Sequence, residues 1–399
     1  MTNSRIRRSV VHAGAVVAAA VLAVPAIGAV PAGAVPAGAA PAGAAPPRSE
    51  LQTALDDLRA LGITGAQGEI SAGRRDVVAR SGVADRRTGR PMPLDGRFRI
   101  GSNTKTFVAV VVLQLVGEGR LSLDDTVERR LPGVVSGNGN DGRRITVRQL
   151  LQHTSGLFNY TNDLAALGSA ESYQAHRFDH YEPADLVAIA MKHEPGFAPG
   201  ARWEYSNTNY ILAGMIIERV TGHSWSSEVR SRILRPLGLN DTSYPQDRST
   251  LPRPHARSYQ QFVPGGPLLD VTEFNPTAAG AAGGMVSTTA DLTRFWRAVQ
   301  RGELLRPAQA AQMHRTVLAD GMQDIVPGIR YGLGIFQVPN DCGGFWGHPG
   351  DVVGTSTFNG VSRAGDRAVV LYRTTGLADP APSAAVDNRI LRLVTDVLC

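Results

Sequence analysis

Residues 101–116 read GSNTKTFVAVVVLQLV, a short polar opening followed by an almost wholly apolar run. The run leaves no polar face, which predicts a helix from Thr104 to Val116 that is buried on most sides. Ser102 and Lys105 lie three positions apart, so the lysine amine can reach the serine hydroxyl on one face of the helix. Because an idle lysine would be costly in such a helix, we interpret the pair as a candidate nucleophile and its base.

The composition is that of a folded, globular chain. Of 399 residues, 43% are hydrophobic and 19% are charged, which excludes a wholly disordered chain, a coiled coil and a multi-span membrane protein. The formal net charge is +6. Without Arg5, Arg7 and Arg8, which lie in a segment predicted to be removed, it falls by three, and so mild a balance indicates no nucleic-acid partner. The chain has only two lysines, Lys105 and Lys192.

The N-terminal segment has the features of a targeting sequence. The three arginines precede an uncharged apolar run from Ala13 to Val24, which is short for a bilayer and typical of a signal peptide. We expect a signal peptide over residues 1–34 and an Ala/Pro/Gly-rich linker over residues 35–48. An uncleaved membrane anchor is the alternative. The pattern predicts a secreted, extracellular protein with no stable membrane span after signal removal.

The hydrophobic pattern places strands near both ends of the chain and helices between them. Alternation predicts strands within 66–83 and over 331–338, 355–361 and 367–373. Helical spacing predicts helices over 50–61, 104–116, 145–152, 184–192, 210–220, 224–234, 289–300, 307–314 and 384–398. The simplest α/β (α+β) arrangement is an antiparallel sheet flanked by terminal helices, with an inserted helical domain. We expect the sheet domain over 49–100 and 285–399, the mainly helical domain over 101–284, and a cleft between them.

Two further motifs carry groups suited to acyl transfer. Tyr205-Ser206-Asn207 follows a Pro/Gly-rich loop, where a phenol can relay a proton and an amide can hold a substrate carbonyl. In His348-Pro349-Gly350, the glycine lets a substrate backbone run close to a strand edge. The histidine can hydrogen-bond the relay group or supply positive charge. Each motif alone also has an ordinary structural explanation, as a helix cap or a structural histidine.

Other patterns argue against other enzyme classes. Residues 137–142 satisfy GxGxxG, but no helix is predicted after them, so dinucleotide binding is not expected. His176 and His180 lack the glutamate of a zinc-binding HExxH motif, and the chain has no GxSxG elbow. We expect no metal and no cofactor.

In chain order, the motifs Ser-x-x-Lys, Tyr-Ser-Asn and His-x-Gly resemble the signature of the penicillin-recognising serine hydrolases, the serine β-lactamase/DD-peptidase superfamily. The likeness is greatest to the secreted serine-type D-alanyl-D-alanine carboxypeptidases, and it implies a β-lactamase/transpeptidase-like fold. It extends over nearly everything after about Glu50, through the stretches GVAD (82–85), FRIGS (98–102), LQLV (113–116), HTSGL (153–157) and YGLG (331–334).

The resemblance implies seven site residues. They are the catalytic residues Ser102, Lys105, Tyr205 and His348, and the substrate-binding residues Asn207, Gly350 and Asp351. By this likeness, Ser102 forms an acyl-enzyme while Lys105 and Tyr205 shuttle protons. The backbone N–H groups of Ser102 and Asp351 hold the oxyanion, and Asn207 orients the acyl amide.

Three positions depart from the carboxypeptidase pattern. Phe336 stands where those enzymes have an arginine for the substrate carboxylate, and Pro349 and Asp351 replace two threonines. A carboxylate would meet an acid there, and the loss of a charge-assisted contact costs roughly 1.5–3 kcal/mol. Arg330 could compensate if its side chain turns inward.

The chain has two cysteines, Cys342 and Cys399. In an exported protein an even pair predicts one disulfide, and two unpaired thiols are the alternative. The bridge would tie the C-terminal helix to a strand region.

Taken together, these features predict a serine acyl hydrolase. The first expectation is a D-alanyl-D-alanine carboxypeptidase, or transpeptidase, that acts on peptidoglycan-type peptides and is inhibited by β-lactams. The first alternative is an esterase, D-aminopeptidase or β-lactamase-like amidase acting on small esters or amides. The second is a non-catalytic cell-wall or β-lactam binding protein. We expect a monomer.

Overall fold

The computed structural model describes residues 48–399. The predicted signal peptide, and the predicted linker as far as residue 47, lie outside the described residues. Within the described part, no helix is both long enough and apolar enough to cross a bilayer.

The described chain runs from helix to hairpin, through a mainly helical middle, and back to strand. Its first elements are α1 (Arg48–Ala60), β1 (Gly65–Ala72), β2 (Arg75–Gly82) and β3 (Phe98–Arg99). The middle comprises α2 (Thr104–Gly117), α3 (Val127–Arg130), β4 (Ser136–Gly137), β5 (Asn140–Asp141), α4 (Val147–Gln152), α5 (Ala170–His176), α6 (Pro183–Ala190), α7 (Thr208–Thr221), α8 (Trp225–Val229) and α9 (Arg235–Leu237). Next come β6 (Tyr259–Gln261), β7 (Leu268–Asp270), α10 (Gly280–Gly283), β8 (Val286–Ser287), α11 (Thr289–Gln300) and α12 (Pro307–Met313). The last elements are β9 (Val317–Leu318), β10 (Arg330–Tyr331), β11 (Phe336–Val338), β12 (Phe345–Gly347), β13 (Gly350–Val352), β14 (Thr355–Ser362), β15 (Arg367–Arg373), β16 (Thr375–Gly376) and α13 (Pro380–Leu398).

Strands from both ends of the described chain share one antiparallel sheet. Its order is β2-β1-β15-β14-β12-β11-β10-β9, and β13 also pairs with β14. The first and last long strands lie side by side, with Ala66 opposite Arg373. The predicted fold class, an antiparallel sheet with terminal helices and inserted helices, is confirmed. The domain boundaries at residues 100 and 285 stay predictions.

Both faces of the sheet are apolar, and each face packs into a separate hydrophobic core. Val369 and Leu371 of β15 pack with α1 and α13 on one face. The alternate residues Ala368 and Val370 belong to the larger core on the other face, which includes α2 and α11. Side chains alternate along a strand, so β15 contributes to both cores. Each aliphatic side chain buried in this way contributes about 1.5–3 kcal/mol.

Helix α2 is buried along almost its whole length, as the apolar run predicts. Every residue from Thr104 to Leu113 is buried, including Lys105. The helix runs through the larger core, so its first turn brings the lysine into surroundings that water does not reach.

The predicted single strand over 331–338 is wrong, since the structure divides it into β10 and β11. Residues 332–335 pack against neighbouring backbone instead of continuing the ladder. A Cβ built at Gly332 would lie 2.2 Å from the carbonyl oxygen of Met313, and one at Gly334 would lie 2.6 Å from the Cβ of Ala109. The two glycines therefore let this segment lie against α2 and α12.

Candidate active site

Ser102 lies in a 3₁₀ turn, Gly101–Asn103, that leads directly into α2. Gly101 has a φ of +51°, a left-handed conformation that glycine adopts without steric cost. A Cβ built at Gly101 would lie 2.7 Å from the backbone nitrogen of Asp351. The absence of a side chain at this position therefore lets β13 approach the turn that carries the serine.

The amine of Lys105 contacts three oxygen atoms. Its Nζ lies 3.0 Å from Ser102 Oγ, 2.7 Å from Asn207 Oδ1 and 2.7 Å from the carbonyl oxygen of Ala282. The two carbonyl-type oxygens can only accept hydrogen bonds, whereas the serine hydroxyl can also donate. A neutral amine therefore gives its two hydrogens to Asn207 and Ala282 and turns its lone pair to Ser102.

Burial favours that neutral form. Desolvation lowers the pKa of Lys105 well below its ordinary value, and the side chain is wholly buried. The lysine can thus act as a base at a pH where an exposed lysine is protonated.

Tyr205 approaches Ser102 from the loop before α7. Its hydroxyl donates to Ser102 Oγ at 2.8 Å. Burial raises the pKa of Tyr205 above its ordinary value, and the Asp351 carboxylate adds to the rise, while the hydrogen bond to Ser102 acts in the opposite direction. The phenol therefore keeps its proton at neutral pH and can donate it.

Asn207 is placed to hold the lysine. Its Oδ1 accepts from Lys105, and its Nδ2 donates to Thr161 Oγ1 at 3.3 Å. Its backbone N–H donates to Asn159 Oδ1 at 3.0 Å. Both ends of the side-chain amide thus have protein partners, and the second hydrogen of Nδ2 can make the expected contact with an acyl amide of the substrate.

His348 lies beside the site but does not have the role expected of it. Its Nε2 accepts from the Tyr331 hydroxyl at 3.0 Å, and its Nδ1 donates to the Pro349 carbonyl oxygen at 2.7 Å. Burial lowers its pKa to about 3. Its hydrogen-bond partner is therefore Tyr331 and not the relay residue Tyr205, and the lowered pKa favours the neutral ring over the positively charged one.

The packing of β13 against the serine turn requires a glycine at position 350. A Cβ there would lie 2.0 Å from the carbonyl oxygen of Ile100 and 2.6 Å from Asn103 Nδ2. The glycine therefore lets β13 pack against the serine turn, which is a different reason from the close substrate approach expected from the sequence. Asp351 follows with an exposed side chain.

None of the three residues that depart from the carboxypeptidase pattern, Phe336, Pro349 and Asp351, offers a positive charge to a substrate carboxylate. Phe336 is buried against Trp203 and Tyr331. Arg330 does not turn inward: its Nε donates to Thr316 Oγ1 at 2.8 Å, and its side chain is exposed. The compensation suggested for Arg330 is therefore wrong in this structure.

His153, in the stretch HTSGL, is a site residue that the three sequence motifs do not include. Its ring lies 4.2 Å from that of Tyr205, centroid to centroid. Its Nδ1 accepts from the backbone N–H of Ser206 and from Asn209 Nδ2, at 3.2 and 3.1 Å. Burial lowers its pKa well below the ordinary value. The His153 ring thus packs against Tyr205 and holds the loop that carries it. The only sequence feature that could have indicated this role is the position of His153 directly before Thr154-Ser155-Gly156.

Cys342 and Cys399 form a disulfide in the structure, with their Cα atoms 5.2 Å apart. Cys399 directly follows α13, and Cys342 lies in the loop before β12. Neither cysteine lies in one of the three motifs. Among residues 48–399, no cluster of histidine, cysteine and carboxylate side chains is arranged to hold a metal ion.

Comparison with known proteins gives consistent matches. A family model described as Beta-lactamase matches residues 51–395. The crystal structure of a D-stereospecific amidohydrolase from Streptomyces sp. is 42% identical in sequence, with a TM-score of 0.79, and the match covers 85% of this chain and 98% of that one.

Two curated proteins match more locally. Penicillin-binding protein 4 of Amycolatopsis lactamdurans is 32% identical over 248 residues, which are 59% of this chain and 61% of the relative. Esterase EstB of Burkholderia gladioli is 36% identical over 192 residues, which are 46% of each chain. The chain therefore matches less than two thirds of the length of either curated relative.

Proposed function

The chain belongs to the beta-lactamase family, and from that premise we propose that it hydrolyses amides whose acyl group is a D-amino acid. It is a serine hydrolase of the beta-lactamase fold. The observation that carries the proposal is the position of Ser102 Oγ, 3.0 Å from the Lys105 amine and 2.8 Å from the Tyr205 hydroxyl.

Acylation follows from that arrangement. Ser102 Oγ attacks the amide carbonyl carbon, and its proton passes to the lone pair of Lys105 Nζ. The carbonyl oxygen becomes an oxyanion that accepts from the backbone N–H groups of Ser102 and Asp351. Gly101 and Gly350 allow the close approach of the turn and the strand that bring these two groups together.

Expulsion of the amine needs a proton on its nitrogen. Tyr205 can give it, since its phenol is protonated and lies 2.8 Å from the reacting oxygen, and Lys105, which contacts the same oxygen, can then give its proton to the phenolate. The carbon–nitrogen bond breaks and leaves an ester on Ser102. In the second half, water attacks this ester and loses its proton to Lys105. Lys105 then passes a proton to Ser102 Oγ as the ester bond breaks and the acid is released.

The negative charge of Asp351 favours a simple amide as substrate over a peptide with a free C-terminal carboxylate. Two like charges about 4 Å apart in water repel by about 1 kcal/mol. Two arginines of the same sheet are engaged elsewhere: Arg330 binds Thr316, and Arg373 binds Asp387 and the Thr375 carbonyl oxygen. A neutral leaving group, such as ammonia from a primary amide, avoids the repulsion. The likeness to a D-stereospecific amidohydrolase supports the D-configuration of the acyl group.

A D-alanyl-D-alanine carboxypeptidase is the second candidate. The order of the three motifs and the likeness to a penicillin-binding protein favour it. It requires recognition of a carboxylate next to Asp351.

One set of substrates separates the two candidates. The kcat/KM should be measured for D-phenylalanine amide and L-phenylalanine amide, and for a peptide ending in D-Ala-D-Ala as the free acid and with its C-terminus amidated. The proposal expects at least a hundredfold preference for the D-amide, and acid and amidated peptide within about tenfold of each other. A thousandfold preference for the free acid would overturn the amidase assignment in favour of the carboxypeptidase assignment.

We also propose that the protein acts outside the cytoplasm, since residues 1–34 have the pattern of a signal peptide.

A further inference from the structure

Asn359, in the middle of β14, takes the place of a backbone partner for His348. The pairs Trp346–Val361 and Gly350–Thr357 belong to one register, which puts His348 opposite Asn359. At this position the His348 N–H donates to Asn359 Oδ1 at 3.0 Å, and Asn359 Nδ2 donates to the His348 carbonyl oxygen at 2.8 Å. A carboxamide has the same donor and acceptor as a peptide group, so one side chain completes the ladder.

The neighbouring residues make room for this insertion. A Cβ built at Gly347 would lie 2.4 Å from the Asn359 carbonyl oxygen and 3.1 Å from Asn359 Oδ1. Pro349, on the other side of His348, has no N–H to give to a ladder. The backbone between β12 and β13 therefore depends on the Asn359 amide for its hydrogen bonds.

The same amide reaches the turn that carries Ser102. Asn359 Nδ2 also donates to Asn103 Oδ1, and Asn103 Nδ2 donates to the Ile100 carbonyl oxygen at 2.8 Å. Asn103 and Asn359 are both buried. Both hydrogens of the Asn359 amide are thus used, one on the strand that leads to Asp351 and one on the residue after Ser102.

From this geometry we propose that Asn359 is a positioning residue that sets the distance between the two oxyanion-binding N–H groups, those of Ser102 and Asp351. It touches neither substrate nor reacting atoms. Its amide joins the residue after Ser102 to the residue three positions before Asp351, so its loss lets the turn and the strand move apart. The inference rests on the acyl transfer proposed for Ser102 and not on the identity of the amide substrate.

The test is Asn359→Asp, which keeps the shape of the side chain but removes both N–H donors. With p-nitrophenyl acetate as substrate, kcat should fall about a hundredfold, the effect of a misplacement of about 1 Å, while KM changes less than threefold. The inhibition constant of phenylboronic acid should rise by a similar factor, because its tetrahedral adduct on Ser102 places an oxygen between the same two N–H groups. Rates are expressed per active site, titrated with an acylating reagent.

Gln67→Glu is the matched control. Gln67 is a buried amide of the same sheet, on β1, and its Nε2 donates to the Leu94 carbonyl oxygen and to Thr289 Oγ1. This change should lower the melting temperature and leave kcat and the boronic acid affinity within threefold of wild type.

A folded Asn359→Asp protein with kcat and boronic acid affinity within threefold of wild type would overturn the inference. If that variant does not fold, Asn103→Ala breaks the same link from the other end and leaves the pairing with His348. It should lower kcat about tenfold at constant KM, and an unchanged kcat would overturn the inference equally. Wild-type turnover that survives Ser102→Ala would overturn the proposed acyl transfer, and this inference with it.

Discussion

The Nζ atom of Lys105 lies 3.0 Å from Ser102 Oγ in surroundings that exclude water from the lysine. Its other two contacts, Asn207 Oδ1 and the Ala282 carbonyl oxygen, accept hydrogen bonds without offering a negative charge. An ammonium group would be desolvated there with no counter-ion among these partners, whereas a neutral amine satisfies all three contacts. The structure thus gives the serine a base in the protonation state that catalysis needs.

Replacement of that base should slow acylation strongly. We expect Lys105→Ala to slow single-turnover acylation by an activated ester at least about 100-fold, the low end for a positioned base. Lys105→Arg should fail as well, because a guanidinium stays protonated. Lys192→Ala, at the other lysine, which is exposed, is the control and should leave the rate unchanged.

The acylation rate should depend on pH in one direction. Burial lowers the pKa of Lys105, so the neutral amine persists at neutral pH, and the rate is lost only as the pH falls through that lowered pKa. Near-normal acylation by Lys105→Arg, or a rate that rises only near the pKa of an exposed lysine, would remove Lys105 as the base.

His348 should stay neutral over the working pH range. Its pKa is lowered to about 3, so nitrogen-15 NMR should show no protonation of its ring between pH 4.5 and 8. In the unfolded chain the same group binds a proton below about pH 6.5. The free energy of unfolding should therefore fall as the pH drops from about 6.5 toward 3, and fall less steeply in His348→Gln. Protonation of the ring near pH 6 would contradict this account.

Much of the fold could be predicted because it depends on long, periodic segments. The buried helix α2 and the hairpin of β1 and β2 follow from runs of apolar and alternating residues. The short helices α3, α5 and α10 were not predicted, since four to seven residues carry little periodicity. The break between β10 and β11 was missed because it depends on what lies against Gly332 and Gly334, and a sequence does not state that.

Some residues of the candidate site could likewise be predicted from the sequence, and others could not. Ser102, Lys105, Tyr205 and Asn207 come together because two short motifs each begin a helix. The partner of His348 could not be predicted, because the choice between Tyr205 and Tyr331 depends on how two loops pack. Asn359 gave no signal at all, since its role depends on the register of β14.

Asp351 should discriminate against a substrate carboxylate. Removal of its charge by Asp351→Asn keeps the backbone N–H, and it should raise kcat/KM for a peptide ending in free D-Ala about fivefold, or about 1 kcal/mol, by relief of repulsion. The amidated peptide is the control and should change less than twofold. An equal change for both peptides would show that the carboxylate of Asp351 does not face the leaving group.

The disulfide should contribute to stability and not to chemistry. Cys342 and Cys399 close a loop with a sequence separation of 57, and in the chain-entropy model such a bridge stabilises the fold by about 4 kcal/mol. The double change Cys342→Ser and Cys399→Ser should lower the free energy of unfolding by up to that amount, while kcat at 25 °C stays within twofold. Two free thiols in the exported wild-type protein, found by alkylation without reductant and mass spectrometry, would contradict the bridge.

The most direct test of the account is the mass of the acyl-enzyme. Wild-type protein is mixed with a fluorescent penicillin, or with an activated acyl ester, quenched in acid, and analysed by intact mass and peptide mapping. We expect one added acyl group, on the peptide that contains Ser102, and none in Ser102→Ala. A label that persists in Ser102→Ala, or that maps to another residue, would contradict it.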